Sequence, residues 1–234
     1  SLCLLFEDLH WIDGETQALL DRLIDSLPRM RMLLIVTYRP EYQHRWSNRS
    51  YYAQLPIDPL PRATAQELLD ELLGTGTDLS PVKTLLFERT EGNPFFLEEC
   101  VSDLAEKGVL LGERGAYRLA QSRTHVDVPA TVQTVLAARI DRLPPDEKRL
   151  LQAAAVIGHH VPHALLGAVS ELGPDNLARC LGHLQAGEFL YELSFFPARE
   201  FMFKHALTLD VAYGSMLAER RRAIDILIVD TIER

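Results

Sequence analysis

Leu2-Cys3-Leu4-Leu5-Phe6 runs straight into Glu7-Asp8, and the reading of the fold starts at that junction. A short, continuous apolar run reads as a strand buried on both faces, as in a parallel sheet. The next segments agree. Asp13-Gly14 opens a helix to Leu27, with Leu19, Leu20, Leu23, Ile24 and Leu27 on one face. Met32 to Thr37 is a second buried-strand run, ending in Tyr38-Arg39-Pro40. Strand, helix, strand is the unit of a parallel sheet. Glu41 to Ser50 is polar and reads as a loop, and Tyr51 to Ile57 as a third strand at an edge.

After Pro59-Leu60-Pro61 the pattern turns helical. Ala63 to Leu73 carries apolar residues at helical spacing, and Gly74-Thr75-Gly76 ends it. Ser80-Pro81 starts a second helix, with proline where its missing N–H costs nothing. Gly92-Asn93-Pro94 separates it from a third, on which Phe96, Leu97, Cys100, Val101 and Leu104 share a face. A hairpin over Val109–Leu111 and Tyr117–Leu119 turns at Gly112–Gly115. Helices are then expected over Thr131–Leu143, from Pro145, over Val161–Val169 and from Pro174. Phe189–Leu193 and Glu200–Phe203 read as two strands joined by a loop containing Pro197. Three helices followed by a two-stranded wing is the order of a winged-helix domain. Leu207 to Ile232 is helical again.

Composition narrows the functions. Of 234 residues, 47% are hydrophobic and 24% charged, the balance of a globular protein rather than a disordered or collagen-like one. No run approaches the roughly 20 apolar residues that span a bilayer. The net charge is -9, which argues against nucleic-acid binding through bulk charge. Three scattered cysteines imply no disulfide framework and fit a reducing, cytoplasmic compartment. The start at Ser1, directly in an apolar run, and the end inside a helical pattern at Arg234 lead to the expectation of a piece of a longer chain.

The acidic pair carries the strongest chemical signal. Ligands of open parallel sheets sit outside the carboxyl ends of the strands. A carboxylate there can hold the Mg²⁺ that bridges nucleotide phosphates, and a second can orient or deprotonate water. The plain alternative is a surface Glu-Asp capping a turn. Thr37 and Arg39 fall at the end of the neighbouring strand, where a guanidinium can reach a γ-phosphate. A solvated loop arginine is the alternative there.

Leu4-Leu5-Phe6-Glu7-Asp8-Leu9-His10-Trp11-Ile12-Asp13 resembles the Walker B segment of the signal-transduction ATPases with numerous domains, the AAA-related STAND class. The resemblance extends over nearly the whole chain. It is nearest to bacterial regulators that pair this module with a nucleotide cyclase domain and tetratricopeptide-like repeats. Thr37-Tyr38-Arg39 resembles the sensor-1 position, and Glu91-Gly92-Asn93-Pro94-Phe95-Phe96-Leu97-Glu98-Glu99 the Gly-x-Pro motif of the helical lid. Phe203-Lys204-His205-Ala206-Leu207 resembles the winged-helix segment whose histidine reads the β-phosphate of ADP.

The resemblance implies an α/β P-loop core, its C-terminal part with a parallel sheet, over 1–59. A helical lid over 60–125, a winged helix over 126–215 and the start of a helical-repeat region over 216–234 would follow. It implies ATP/ADP and Mg²⁺ as cofactors, with Glu7 and Asp8 as metal ligand and water activator in either order. Arg39, Thr37, Gly92, Pro94 and His205 would meet the nucleotide. The family more often has Asp at the first place, so the two carboxylate roles stay exchangeable. No Gly-x-x-x-x-Gly-Lys-Ser/Thr occurs in the chain, so the segment alone is not expected to hydrolyse ATP. The expected partners are nucleotide, other domains of the same chain and a second copy in a homo-oligomer, with no membrane. The expected output is a nucleotide cyclase. A LuxR-like transcriptional regulator and a non-catalytic scaffold are the alternatives.

Two rival signals are weaker. His159-His160-x-x-His163 has no cysteine or second ligand cluster beside it, and reads as a polar loop leading into a helix. The helix over Asp175–Gln185, where DNA would be read, has one basic residue, Arg179, beside an acidic N-terminus. That is poor equipment for phosphate contacts, so direct nucleic-acid binding is not expected.

Overall fold

The computed structural model describes residues 1–120, 128–194 and 198–233. The loop at Pro197, the boundary between 125 and 126, and Arg234 lie outside them. Contacts divide the chain into two units, Ser1–Asp58 and Pro59–Arg234.

In the first unit β1 (Leu2–Phe6) and β2 (Met32–Val36) pair in parallel, in a register of Leu2 with Met32 to Phe6 with Val36. Between them lies α1 (Gly14–Ser26), whose N-cap Asp13 accepts from the backbone N–H groups of Glu15 and Thr16, each at 2.9 Å. Those bonds, with one from the Thr16 hydroxyl, hold the Asp13 carboxyl below its usual range. Even residues of both strands, Phe6, Leu34 and Val36, pack on a small core of Leu9, Leu20, Ile24 and Trp46. The odd residues Cys3, Leu5, Leu33 and Ile35 face away and are exposed.

The second unit is mostly helical. Its first part holds α2 (Arg62–Leu73), α3 (Ser80–Thr90), α4 (Pro94–Glu106) and a hairpin of β3 (Leu110–Leu111) with β4 (Arg118–Leu119). They enclose a core of leucines that includes Leu69, Leu73, Leu86 and Leu97. Next come α5 (Val132–Arg142), α6 (Pro145–Ile157), β5 (His160–Pro162), α7 (His163–Ser170), α8 (Pro174–Ala186), β6 (Leu190–Ser194), β7 (Glu200–Phe203), α9 (Ala206–Gly214) and α10 (Ala218–Ile232). Their strands form an antiparallel sheet in the order β5-β7-β6. Val161 and Phe201, opposite each other in it, are fully buried in a second core with Leu151 and Leu166.

This architecture overturns the expected fold class. The described strands make three small separate sheets, and the only parallel one has two strands. No extended parallel P-loop sheet is formed among the described residues. The expected third strand is irregular, with Leu55 and Ile57 almost fully exposed. Pro56 within it and Pro59 after it lack the N–H a ladder needs, and Tyr51 instead donates its hydroxyl to the Ile24 carbonyl at 3.1 Å.

The separate winged helix is not formed as expected either. The His160-Val161-Pro162 stretch, read as the end of a polar loop and the start of the Val161–Val169 helix, is a strand that makes the sheet three-stranded. α10, which lies beyond 215, packs on both α6 and α7. The long C-terminal helix is two helices, parted at Ser215 to Leu217. Within α1, Leu19 points to solvent rather than joining the apolar face.

Candidate functional site

Each unit carries part of the residue set singled out above. In the first, Thr37 ties the ends of the two strands. Its backbone N–H donates to the Phe6 carbonyl and its carbonyl accepts from Leu9, both at 2.9 Å. Its hydroxyl accepts the Asp8 backbone N–H at 3.0 Å. Asp8 is held at φ 57°, ψ 43°, left-handed backbone that is costly for a residue other than glycine. The result is a strand end presenting two exposed carboxylates, Glu7 and Asp8, beside an exposed Thr37 and Arg39.

Behind them His10 is inward. Its side chain is only 8% exposed, and its Nδ1 lies 3.9 Å from the Asp8 carboxylate. Neither ring nitrogen has a hydrogen-bond partner among the described residues.

In the second unit the turn before α4 is built from local chemistry. Gly92 has φ +78°, and a Cβ there would stand 2.3 Å from the Leu60 carbonyl oxygen. The same backbones bond directly, Leu60 N–H to Gly92 carbonyl at 2.8 Å. Asn93 caps α4, its side chain accepting from Phe96 N–H at 3.0 Å, and Pro94 fills the first helical position. These roles account for Gly92, Asn93 and Pro94 without a ligand.

His205 comes to the same place from the other end of the unit. Its ring centroid is 3.8 Å from that of Phe95, next to Pro94. Its Nε2 is buried and lacks a hydrogen-bond partner among the described residues. Burial, reinforced by the charge of Lys204, holds this imidazole below its ordinary pKa. Lys204 itself bridges Glu98 of α4 at 3.1 Å and Glu188 at 2.8 Å. Burial works against the charges of Lys204 and Glu188, and their mutual bond overcomes it, raising the first pKa and lowering the second.

Sequence reasoning missed the ion network that joins the two cores of this unit. Arg139 of α5, only 3% exposed, donates to Glu99 at 2.5 Å, Glu106 at 2.7 Å and the Gly187 carbonyl at 2.8 Å. Arg142 adds Asp103 at 2.6 Å and Glu106 at 2.9 Å. Its sequence signal was Glu99 and Asp103, both on the apolar face of α4. An adjacent cleft of about 300 Å³ is lined by Glu98, Arg114, Tyr117, Arg139 and Glu188, so it lies on this network.

Among the described residues no group of three or more His, Cys, Asp or Glu side chains could hold a metal ion, and no helix is long and apolar enough to cross a membrane. His160 instead lies 3.3 Å from Glu200, on the adjacent strand two residues from its register partner Met202.

In fold the chain is similar to a member of the class of signal transduction ATPases with numerous domains. That solved protein, from Pyrococcus horikoshii, carries a tetratricopeptide repeat sensor. The TM-score is 0.61 with 12% sequence identity, over 98% of this chain and 30% of that one. At such identity the likeness is one of fold alone. In sequence the chain is 26% identical over 228 residues to an uncharacterised protein of Rhizobium meliloti, covering 93% of this chain and 21% of that protein. It therefore spans about a fifth of the curated relative and under a third of the solved one. No protein-family model matches it.

Proposed function

We propose that the chain is the nucleotide-responsive segment of a larger cytoplasmic signalling regulator. The observation that carries this reading is the meeting of the Gly92–Pro94 turn with His205 through Phe95, which leaves a buried imidazole nitrogen in want of a partner. A phosphate oxygen is a fitting acceptor for such a nitrogen when it carries a proton. Glu7 and Asp8 are exposed carboxylates, suited to Mg²⁺, with Thr37 and Arg39 beside them in the same unit. A bound ATP would supply the hydrolysable phosphoanhydride, and the part of the chain's own residues is to position it and to read its loss.

The test uses the natural chain that holds this segment. His205→Ala should weaken binding of fluorescent ADP by about tenfold or more, the effect of losing a hydrogen bond to a charged group. Asp8→Ala should leave ADP affinity nearly unchanged and abolish turnover of Mg-ATP. Equal ADP affinity in His205→Ala removes that residue from the reading. Absence of ADP binding in the unsubstituted chain removes the reading altogether.

A further inference from the structure

The loop after β2 is pinned by aromatic side chains around one imidazole. His44 Nε2 lies 3.1 Å from the hydroxyls of both Tyr38 and Tyr52, which are 2.7 Å apart. Its Nδ1 accepts the Trp46 backbone N–H at 3.2 Å. Its ring stacks on that of Trp46, with centroids 4.7 Å apart and planes 16° from parallel. Trp46 in turn donates its indole N–H to Asp21 of α1 at 2.7 Å, and the Tyr42 hydroxyl donates to Gln17 of the same helix. His44 is thus the joint between the loop and the residues that fasten it to α1.

These bonds fix the protonation state. A nitrogen that accepts carries no proton, so a neutral ring holds its hydrogen on Nε2, toward the two phenols. A second proton would have to enter at Nδ1, head-on to the Trp46 N–H. Two donors cannot share that contact. We propose that residues 38–52 form a proton-released clasp, closed on α1 while His44 is neutral and opened when His44 is protonated.

The groups facing His44 are Tyr38, Tyr42, Trp46 and Tyr52 from the loop; Gln17 and Asp21 of α1 lie behind them, bonded to Tyr42 and Trp46, with the Asp25–Arg49 pair further along. Asp21 is the anion that could favour an imidazolium, but its Oδ1 is already taken by the Trp46 indole and by Gln17. Burial accordingly holds His44 below its ordinary value of 6.5. The sign follows. The open form has the higher pKa, so closure is fully favoured above about pH 6.5. It weakens about tenfold per unit as pH falls, until the closed-state pKa is passed. Opening frees Tyr38, which sits between Thr37 and Arg39, and so loosens the end of β2. The clasp stands whether or not the chain handles nucleotide.

The chain's two tryptophans are Trp11 and Trp46, and Trp11 is 79% exposed. In the full chain with Trp11→Phe, acrylamide quenching should report Trp46 alone. Quenching should rise several-fold between about pH 7.5 and about pH 5.5. With His44→Gln added it should stay flat, because the amide keeps one acceptor and one donor without titrating. No rise in the first, or an equal rise in the second, overturns the proposal. Hydrogen exchange on the unsubstituted chain tests it without mutation. After correction for intrinsic rates, amides of 38–52 should lose protection below about pH 6.5 while those of α6 keep theirs. Loss in both together, or in neither, overturns it.

Discussion

The two units are held together by different physics. Pro59–Arg234 encloses two aliphatic cores in which Leu69, Leu97, Leu151 and Phe201 are fully buried. Ser1–Asp58 buries only Leu9, Leu20, Ile24 and Trp46, and leaves one face of its parallel sheet in solvent. Parallel sheets are ordinarily covered on both faces. The first unit compensates with polar bonds made by aromatic side chains, the Tyr38–His44–Tyr52 ring and the Trp46–Asp21 bond. The second uses its polar bonds to align cores that apolar burial already stabilises. Two probes can follow the two regions separately. Both tryptophans lie in the first unit, whereas most helical residues, and hence most far-ultraviolet dichroism, lie in the second.

The largest expected effect is in the second unit. Arg139→Ala leaves Glu99, 4% exposed, without its partner, and also removes the bond to the Gly187 carbonyl. Breaking one side of a buried pair typically costs about 3–5 kcal/mol. Burial already pushes the Glu99 carboxyl up against the pull of Arg139, so alanine at 139 should raise it further. The urea midpoint followed by dichroism should fall sharply, and fall more at neutral than at acid pH, where Glu99 can take up a proton. The tryptophan transition should stay in place. Replacing both residues by apolar ones of similar volume should restore most of the loss; an equal loss in the double variant would show that the pair stabilises on its own account rather than aligning the cores.

The same contrast explains what was legible in the sequence. The second unit's helices announce themselves: Phe96, Leu97, Cys100, Val101 and Leu104 repeat at helical spacing, and all are buried on α4. The β3–β4 hairpin was legible from its glycines. β5 was not, because three residues hold no period and its partner β7 lies about forty positions on. The aromatic clasp was missed because Tyr38, Tyr42, His44, Trp46 and Tyr52 follow no regular spacing. Three such rings, Tyr42, His44 and Trp46, within the Glu41–Ser50 stretch read as polar loop were the available sign. Of the candidate site, the Glu7–Asp8–Thr37 strand end and the Pro94–His205 neighbourhood are each drawn together within a unit. The chemical role of those side chains depends on a ligand, and no periodicity encodes that.

A smaller effect is expected at the Gly92 turn. Alanine there meets both a positive φ and the Leu60 carbonyl oxygen. Left-handed backbone alone costs a β-carbon residue about 1–3 kcal/mol. The neighbouring group is main chain, so it cannot rotate aside. Gly92→Ala should lower the dichroism midpoint by less than Arg139→Ala does, with the tryptophan signal again unmoved. An unchanged midpoint would mean that the Leu60–Gly92 junction yields easily and is not a fixed point of the unit.

The smallest effect tests how far polar bonding in the first unit can be trusted. Arg49 and Asp25 pair at 2.5 Å, but their side chains are 47% and 58% exposed. An exposed ion pair contributes about 0–1 kcal/mol, because water screens both charges and two long side chains must be ordered. Trp46 with Asp21 differs, since the indole is buried and its N–H has nowhere else to bond. Arg49→Ala should therefore shift the tryptophan unfolding midpoint by no more than about 0.5 kcal/mol, and less still at high salt. A shift as large as that of Asp21→Ala, which removes the indole's acceptor and keeps the tryptophan, would place the exposed pair among the bonds that hold the loop. The contrast between the units would then rest on charge rather than on buried aromatic donors.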